Sequence, residues 1–417
     1  MQAVILAAGQ SSRFYPFHSA THKSLIKIMG KTLLEHTLIS LKHAGITEIV
    51  LVVSPNSPIQ QLLGEGKQIG THITYVIQEE TLGMGHALLQ TEQYIKDDFF
   101  LLHAYHFEVD QFIPNMVKKK RKKEEVVLLG KPLGGTDRYG YMITDGEKVT
   151  GIVEKPKEII NNSLHLIGIY LLNKHFLTTL KETPLSHYHF EEALDAYTKT
   201  GNVTFLETDK KTITLKYAWD ILDMKDYLLD NIEHNVSPKA EVSPHAIISG
   251  TVVIEEGAKI FEGACIKGPC YIGKNAVIGN NALVRDKVVA EENSVIGSYM
   301  EIKNAVMMQG STTHTGFIGD SVIGSNSKIG AEICTTNVRL DRQTILPEVK
   351  ENKVSSYRTH LGVIVGDNAI IGARVTTMPG TIIGNDSFIG PSTVVMKNVA
   401  DNTKYYTEFK NIEKERK

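Results

Sequence analysis

The sequence predicts two domains of different class, an α/β domain with a Rossmann-type mixed sheet and then a left-handed parallel β-helix. Three observations predict this. Up to about Asn231, short apolar strands alternate with helical patterns. From Val242 onward, aliphatic residues recur at every sixth position. Between them stand glycines and asparagines, as in IGKNAVIGNNA and IGDSVIGSNSKIGA. A chain of 417 residues has room for roughly two or three domains.

In the first half, Gln2–Leu6 reads as a strand, followed by a Gly/Ser loop and a helix over Thr32–His43. Glu48–Val53 is the next strand and a helix follows near Ile59–Leu63. Ile73–Ile77 and Phe99–Leu102 are further strands, with a helix over Gly85–Tyr94 between them. Such alternation predicts a largely parallel sheet covered by helices on both faces. Ligands of such sheets sit beyond the carboxyl ends of the strands, so the segments just after the strands are the candidates for function.

The second half changes period. Val242, Ile248, Ile254, Ile260, Ile266, Ile272, Ile278 and Val284 are each six residues apart, and Ile296 and Ile302 keep the count. The pattern resumes at Phe317, Ile323 and Ile329, and again at Val365, Ile371, Ile383, Ile389 and Val395. A helical period cannot hold one face at every sixth residue for so long. Short strands wound around a triangular core can, each hexapeptide turning one aliphatic side chain inward. Met308–Gly316 and the stretch from Thr335 to Leu361 interrupt the ladder and are expected as expelled loops that build a binding face. The expected domains are residues 1–232 and 238–400, joined near Glu233–Pro238, with a charged tail over 401–417 that lacks the repeat.

Composition excludes several classes. Lys and Arg number 45 against 47 Asp and Glu, a net charge of −2, which argues against a cationic nucleic-acid surface. KKKRKKEE, Lys118–Glu125, reads as a solvated helix end. No apolar run approaches the ~18 residues of a membrane span. QAVILAAG is too short for a secretory signal, so a cytoplasmic protein is expected. Three cysteines, Cys265, Cys270 and Cys334, offer neither a disulfide framework nor a CxxC pair. The histidines of HAYH and HYHF lack carboxylate partners at ligand spacing, so no zinc is assigned.

Chemistry is concentrated in short motifs. AVILAAGQSSRFYPF followed by HKSLIKIMGKTLLEH places a turn, Arg13 and then Lys23 after the first strand. Backbone N–H groups of such a turn can cradle phosphate, and the two cations can neutralise it. With its continuation, the segment resembles the sugar-phosphate nucleotidyltransferase family, whose loop reads L-A-A-G-x-G-x-R, then Pro-Lys and G-K-P-L-[IVL]-x-[HY]. QEETLGMGHAL resembles that family's base- and ribose-holding Q-x-x-x-L-G-T-[AG]-H-A segment. DRYGYMITDGEKVTGIVEKP resembles its R-Y-G … E-K-P run, and KYAWDILDMKDYLLDN the segment that gives magnesium an aspartate. The resemblance implies Arg13 and Lys23 as catalytic residues. It further implies Gly9, Gln78, Gly83, Gly140, Glu154 and Lys155 as substrate contacts, and Asp220 as the Mg²⁺ ligand. The chain departs from the pattern at Ser11, His22, Met84 and Leu166. Tyr105, in LLHAYHF, stands where the family has a second metal-binding aspartate, and Glu108 or Asp110 could reach that place only by a register shift.

The two halves in this order resemble the bifunctional N-acetylglucosamine-1-phosphate uridyltransferase / glucosamine-1-phosphate acetyltransferase family, in its archaeal-type branch. HLGVIVGDNAIIGARVTTMPG matches that branch, as do GSYMEIK ending at Lys303, HTGFIGD from His314 and TTNVRLD with Asn337. Acetyl transfer to a sugar amine needs a base that titrates near neutrality, which suits histidine. The resemblance assigns that role to His314, places Arg285 and Lys303 on the sugar phosphate, and has Asn337 orient the amine. Acetyl-CoA would lie by Ala331 and Arg374. Phe317 replaces the family tyrosine and Lys328 an asparagine. The expected activity is acetylation of an amino-sugar 1-phosphate, with nucleotidyl transfer from UTP or dTTP to a sugar 1-phosphate, in a homotrimer or dimer of trimers. Two alternatives stand beside it. One is a monofunctional nucleotidyltransferase whose β-helix only oligomerises, and the other is a regulatory paralogue with a degenerate transferase site.

Overall fold

The computed structural model describes residues 1–9, 13–17, 22–132, 140–156, 158 and 160–415. The chain divides into two compact units. One comprises Met1–Gln10, Ser24–Ile26 and Thr32–Thr214, and the other Ser11–Lys23, Lys27–Lys31 and Leu215–Lys417. The second unit thus contains two short segments from the start of the chain as well as the repeats.

The first unit is built on one mixed sheet. Its strands are β1 (Gln2–Ala7), β2 (Glu48–Val53), β3 (His72–Ile77), β4 (Phe99–His103), β5 (Val126–Lys131), β6 (Gly140–Asp145), β7 (Lys148–Glu154), β8 (Ser163–Leu172) and β9 (Val203–Glu207). Their order is β3-β2-β1-β4-β8-β5-β9-β7-β6. The first four are mutually parallel, and β8 runs antiparallel to both β4 and β5. Val4, Val52 and Leu101 pack on one face, while Ala3, Ile5, Leu51 and Leu102 pack on the other. A sheet covered on both sides reads as continuous apolar runs, which is why these strands were visible in the sequence.

Helix α1 (Leu33–His43) begins at a capping box in which Thr32 and Glu35 satisfy each other's backbone N–H groups. α2 spans Ile59–Leu63. The single helix expected over Gly85–Tyr94 is two pieces, α3 (Met84–Leu89) and a 3₁₀ turn over Glu92–Tyr94. The break lies at Thr91, whose hydroxyl donates to the Leu88 carbonyl at 2.7 Å and competes with the helical ladder. α4 (Ile113–Lys119) runs into the basic cluster, where Lys120 pairs with Asp98 and Arg121 with Glu147 at the surface. α5 (Phe176–Glu182) and α6 (His189–Thr198) complete this unit.

In the second unit, strands of two to four residues form three parallel sheets, each taking every third strand. This is the expected left-handed β-helix. Inward residues stack in columns, such as Ile254, Ile272, Ala290, Met307 and Ile323, all fully buried. Each buried aliphatic side chain contributes about 1.5–3 kcal/mol against exposure. Asparagines hold the corners in the left-handed conformation, with φ near +55° at Asn275, Asn281 and Asn326. α7 (Asp220–Leu229) precedes the coils.

Two loop expectations need correcting. Met308–Gly316 is not expelled, because Thr312–Thr313 pairs with Lys328–Ile329 and Gly316–Gly319 with Met300–Lys303. The six-residue count fails there because Ile302 to Met307, Thr313 to Ile318 and Ile318 to Ile323 are five-residue steps around tighter corners. The tail likewise carries one more rung, as Lys404–Tyr405 pairs with Phe388–Ile389 and Tyr405 packs on the core. The second interruption is a true excursion. The chain leaves after Thr335, forms a hairpin of Glu348–Val349 with Asn352–Lys353, and rejoins at Ile364–Val365.

Candidate active sites

Two sets of candidate residues lie in the first unit. Gly9 is exposed just past the carboxyl end of β1, with nothing within 4 Å of where a side chain would start. Gln78, buried at the end of β3, donates to the Gly83 carbonyl at 3.2 Å and bonds His86 Nδ1 at 3.0 Å. Gly83 has φ +94° and precedes α3, so the turn needs a glycine. The structure therefore brings Gln78 and Gly83 together and adds His86, which sequence reasoning missed.

The other set is on the edge hairpin. At Gly140 a Cβ would sit 2.7 Å from Glu154 Oε2, so a side chain there would push the end of that carboxylate aside. Glu154 pairs with Lys155 at 3.0 Å, and the Lys155 ammonium lies 5.2 Å from the Tyr188 ring centre. Burial pushes the Glu191 carboxyl up, and the nearby Glu154 charge adds to the effect. Tyr188 and Glu191 are distant in sequence and carried no motif signal. Ser11 and the Asp137–Tyr139 part of DRYG lie outside the described residues.

Tyr105 follows β4 with its ring stacked on His103, centroids 5.4 Å apart, and tilted against His106 at 4.8 Å. Glu108 is fully buried, bonding His106 Nδ1 at 3.0 Å and accepting the Ile213 N–H at 2.9 Å. It is an internal strut. The Asp110 N–H donates to Ser40 Oγ at 3.1 Å.

The second unit brings Arg13, Lys23 and Asp220 together. Lys23 Nζ donates to the Leu215 carbonyl at 3.0 Å. Burial and the adjacent Arg13 guanidinium push the Lys23 ammonium down to about 8, while Asp220 opposes that shift. Asp220 Oδ2 accepts the N–H groups of Lys216 at 2.7 Å and Tyr217 at 2.8 Å at the start of α7. This carboxylate closes its own helix start as well as facing the lysine. Among the described residues, no group of three His, Cys, Asp or Glu side chains could hold a metal ion. Tyr105 stands where the resemblance implies a second carboxylate, and a neutral phenol is a poor ligand for a hard cation.

The coils carry the other candidate site. Arg285 and Lys303 are directly in register on neighbouring strands, and Lys303 is in register with Gly319 on the next. Arg285 bonds Glu301 from Nε at 3.0 Å and Nη2 at 2.6 Å, and also pairs with Asp286. Lys303 Nζ lies 3.7 Å from Asp320 Oδ2. Asp320, 3% exposed, accepts Asn304 Nδ2 on one oxygen and Asn337 Nδ2 on the other. A Cβ on Gly319 would fall 2.7 Å from the Phe317 ring and 2.9 Å from Asn337 Nδ2. Phe317, Asn337, Lys303 and Asp320 therefore converge on Gly319.

His314 is exposed at the tight corner between Thr312–Thr313 and Gly316–Gly319, its N–H donating to the Ile329 carbonyl at 3.1 Å. A Cβ on Gly297 would lie 1.9 Å from the His314 carbonyl, so that glycine permits the coils to approach. Ala331 and Arg374 are on adjacent coils, the Arg374 N–H donating to the Ala331 carbonyl at 2.7 Å and its guanidinium pairing with Glu332. Lys328, at the family's asparagine position, is exposed in register with Thr312. Asp320 and Asn304 were not among the expected site residues, although Asp320 closes the matched motif HTGFIGD and Asn304 directly follows GSYMEIK.

Comparison with known proteins places these features. Residues 2–228 match the family described as nucleotidyl transferase, 266–348 the GMPPB C-terminal domain and 362–397 the bacterial transferase hexapeptide. The bifunctional protein GlmU of Methanococcus maripaludis is 32% identical over 414 residues, covering 97% of each chain. The GlmU of Methanocaldococcus jannaschii is 30% identical over 97% of each chain. A bifunctional sugar-1-phosphate nucleotidylyltransferase/acetyltransferase of Sulfurisphaera tokodaii is 31% identical over 98% of this chain and 99% of its own. A crystal structure described as a putative glucose-1-phosphate thymidylyltransferase from Bacillus anthracis overlays with a TM-score of 0.50 at 23% identity. It covers 56% of this chain and 97% of its own, a likeness of fold.

Proposed function

We propose, for a chain that belongs to the nucleotidyl transferase family and over nearly its whole length to the bifunctional GlmU-type proteins, that it makes nucleotide sugars by two transfers. One acetylates an amino-sugar 1-phosphate, glucosamine 1-phosphate, from acetyl-CoA. The other joins a nucleotide from UTP or dTTP to a sugar 1-phosphate.

The observation that carries the first is the in-register pair Arg285 and Lys303 beside the Asp320–Asn337 contact. Two cations on adjacent rungs suit a phosphate dianion. Asn337, with its amide nitrogen held by Asp320, turns its carbonyl oxygen to the substrate amine. His314 takes the amine proton as nitrogen attacks the thioester carbonyl. The C–N bond forms, the C–S bond breaks, and the proton passes to the departing thiolate. Phe317 bounds the sugar by packing, and acetyl-CoA lies along the coils past Ala331 and Arg374.

In the second transfer, Arg13 and Lys23 supply positive charge to the phosphates, Gly9 lets phosphate approach the backbone, and Gln78 and Gly83 hold the base. Glu154, Lys155 and Gly140 face the sugar. Nucleotidyl transfer in this family is magnesium-dependent, with Asp220 as this chain's ligand. The described residues do not complete a clamp for the ion, so no step is routed through it. The homotrimer or dimer of trimers is supported by the outward apolar side chains of Ile370, Phe388 and Val394. No helix among the described residues is long and apolar enough to cross a membrane.

The test is release of free thiol from acetyl-CoA in the presence of glucosamine 1-phosphate. His314→Ala should lower that rate by about 10²–10⁴-fold. A fully active variant removes the imidazole from its role.

A further inference from the structure

A lysine with no exposed side chain is unusual, because a buried ammonium costs several kcal/mol unless paired and hydrogen-bonded. Lys225 is such a residue, 0% exposed in the middle of α7. Apart from Asp220 at its start, the helix otherwise buries the apolar Ile221, Leu222, Met224 and Leu229, so an apolar side chain would suit the same space. Lys225 Nζ instead donates to Asp226 Oδ1 at 2.5 Å and to Asn304 Oδ1 at 2.7 Å.

Asn304 is the residue that follows Lys303 in the coil. Because Lys225 takes its carbonyl oxygen, its amide nitrogen must face the other way, where it donates to Asp320 Oδ1. Asp320 then receives Asn337 on its second oxygen and lies 3.7 Å from Lys303. One chain of polar contacts runs from α7 to Asn337 and Lys303. Two further ion pairs fasten this helix and its end, Asp223 of α7 with Arg358 at 2.6 Å and Asp230, just past α7, with Lys287 of the coils at 2.5 Å. Arg358 belongs to the same excursion that carries Asn337.

We infer that Lys225, from a helix outside the hexapeptide coils, is a positioning residue of the acetyl-transfer site, acting through Asn304 and Asp320 on Asn337 and Lys303. This role rests on the acetyl-transfer reading above. The physical reason is that the Asn304 amide is anchored at both ends, its oxygen by Lys225 and its nitrogen by the Asp320 carboxylate. Without Lys225 the oxygen loses its donor and the amide is held from one end only, so it shifts to find another partner. Asp320 shifts with it and no longer holds the Asn337 amide in one position. Asn337 and Lys303 are the groups that meet the amino sugar phosphate, whereas acetyl-CoA lies elsewhere on the coils. Loosening them therefore weakens one substrate selectively.

The experiment compares Lys225→Met, Lys225→Arg, Asn304→Gly and the Lys225→Met/Asn304→Gly double variant with the full-length wild type in the thiol-release assay. Glycine at 304 tolerates the φ of +45° found there. Lys225→Met should raise KM for glucosamine 1-phosphate roughly tenfold while KM for acetyl-CoA stays unchanged. Lys225→Arg should restore part of the loss. The double variant should be no worse than Asn304→Gly alone, as expected of residues acting in series. Wild-type kinetics in Lys225→Met overturn the role. So does a loss confined to the amount of folded enzyme with both KM values intact, or strict additivity in the double variant. If Lys225→Met does not fold, Asn304→Gly with both KM values unchanged overturns it equally. A wild-type protein that releases no thiol with any amino sugar phosphate overturns the function itself, and this role with it.

Discussion

Glu291 accepts two consecutive backbone N–H groups, from Met29 at 2.5 Å and from Gly30 at 2.9 Å, with its side chain 1% exposed. A carboxylate on the β-helix thus holds the segment 27–31, which lies shortly after Lys23 in the chain. Farther along the coils, Asn385 Nδ2 donates to the Pro16 carbonyl at 2.7 Å, on the segment that begins with Arg13. Both segments that flank the candidate cations are therefore fastened to the repeats.

That fastening is pH-dependent. Burial pushes the Glu291 carboxyl up to about 7, although the two N–H donors favour its charged form. A carboxyl raised above its ordinary value stabilises the fold fully below about 4.5, and that contribution is lost as pH rises through about 7. Glu291→Gln offers one acceptor oxygen to two donors and should cost about 1–3 kcal/mol at pH 5. Thermal melts at pH 5 and pH 8 should show the gap to wild type narrowing at the higher value. A gap of constant size would contradict this account.

Lys23 should govern the alkaline side of nucleotidyl transfer. With its ammonium lowered to about 8, kcat/KM should fall as pH rises through that value and the positive charge is lost. Lys23→Arg keeps its charge over the whole range, so its residual activity should show no such decline. Persistence of the alkaline limb in Lys23→Arg would assign it to another group.

Beside its proposed place as the magnesium ligand, Asp220 carries two separable roles. Asp220→Ala strands the N–H groups of Lys216 and Tyr217 and should cost about 1–3 kcal/mol in a thermal or urea melt. Asp220→Asn keeps an acceptor oxygen and should melt close to wild type. It removes the charge that supports the Lys23 ammonium, so its alkaline limb should move to lower pH. Identical pH profiles for Asp220→Asn and wild type would rule out that coupling.

Gly297→Ala should damage both stability and acetyl transfer, because the obstructing atom 1.9 Å away is the His314 backbone carbonyl, which has little room to yield. A loss of about 1–3 kcal/mol or more is expected from overpacking. Gly9→Ala, which meets nothing within 4 Å, is the stability control and should melt like wild type. Equal melting of the two variants would show that the coils can spread at the His314 corner.

The parts of the molecule legible in the sequence are those in which neighbours along the chain share an environment. β2 covers Glu48–Val53 and α2 covers Ile59–Leu63, as the apolar runs indicate, because both depend on local pattern. The inward columns of the coils follow from the six-residue period for the same reason, except at Phe317, where a five-residue step turns Ile318 inward instead. The Met308–Gly316 segment reads as a loop in the sequence, since a one-residue shortening at a corner breaks the count without breaking the hydrogen-bonded rung. Glu108 carried no sign of burial, its partners being His106 nearby and the backbone of Ile213 far along the chain.

The amino-acid order alone determined the two architectures, the alternation that forms a covered sheet, and the residue types able to meet phosphate, amine and thioester. Only the folded chain decided that Lys225 reaches Asn304, that Asp320 gathers Asn337 and Lys303, and that Glu291 grips Met29 and Gly30. Periodic burial is written into neighbouring residues. A hydrogen bond between segments separated by most of the chain leaves no such trace, since its energy depends on a meeting that only the completed packing of both segments creates.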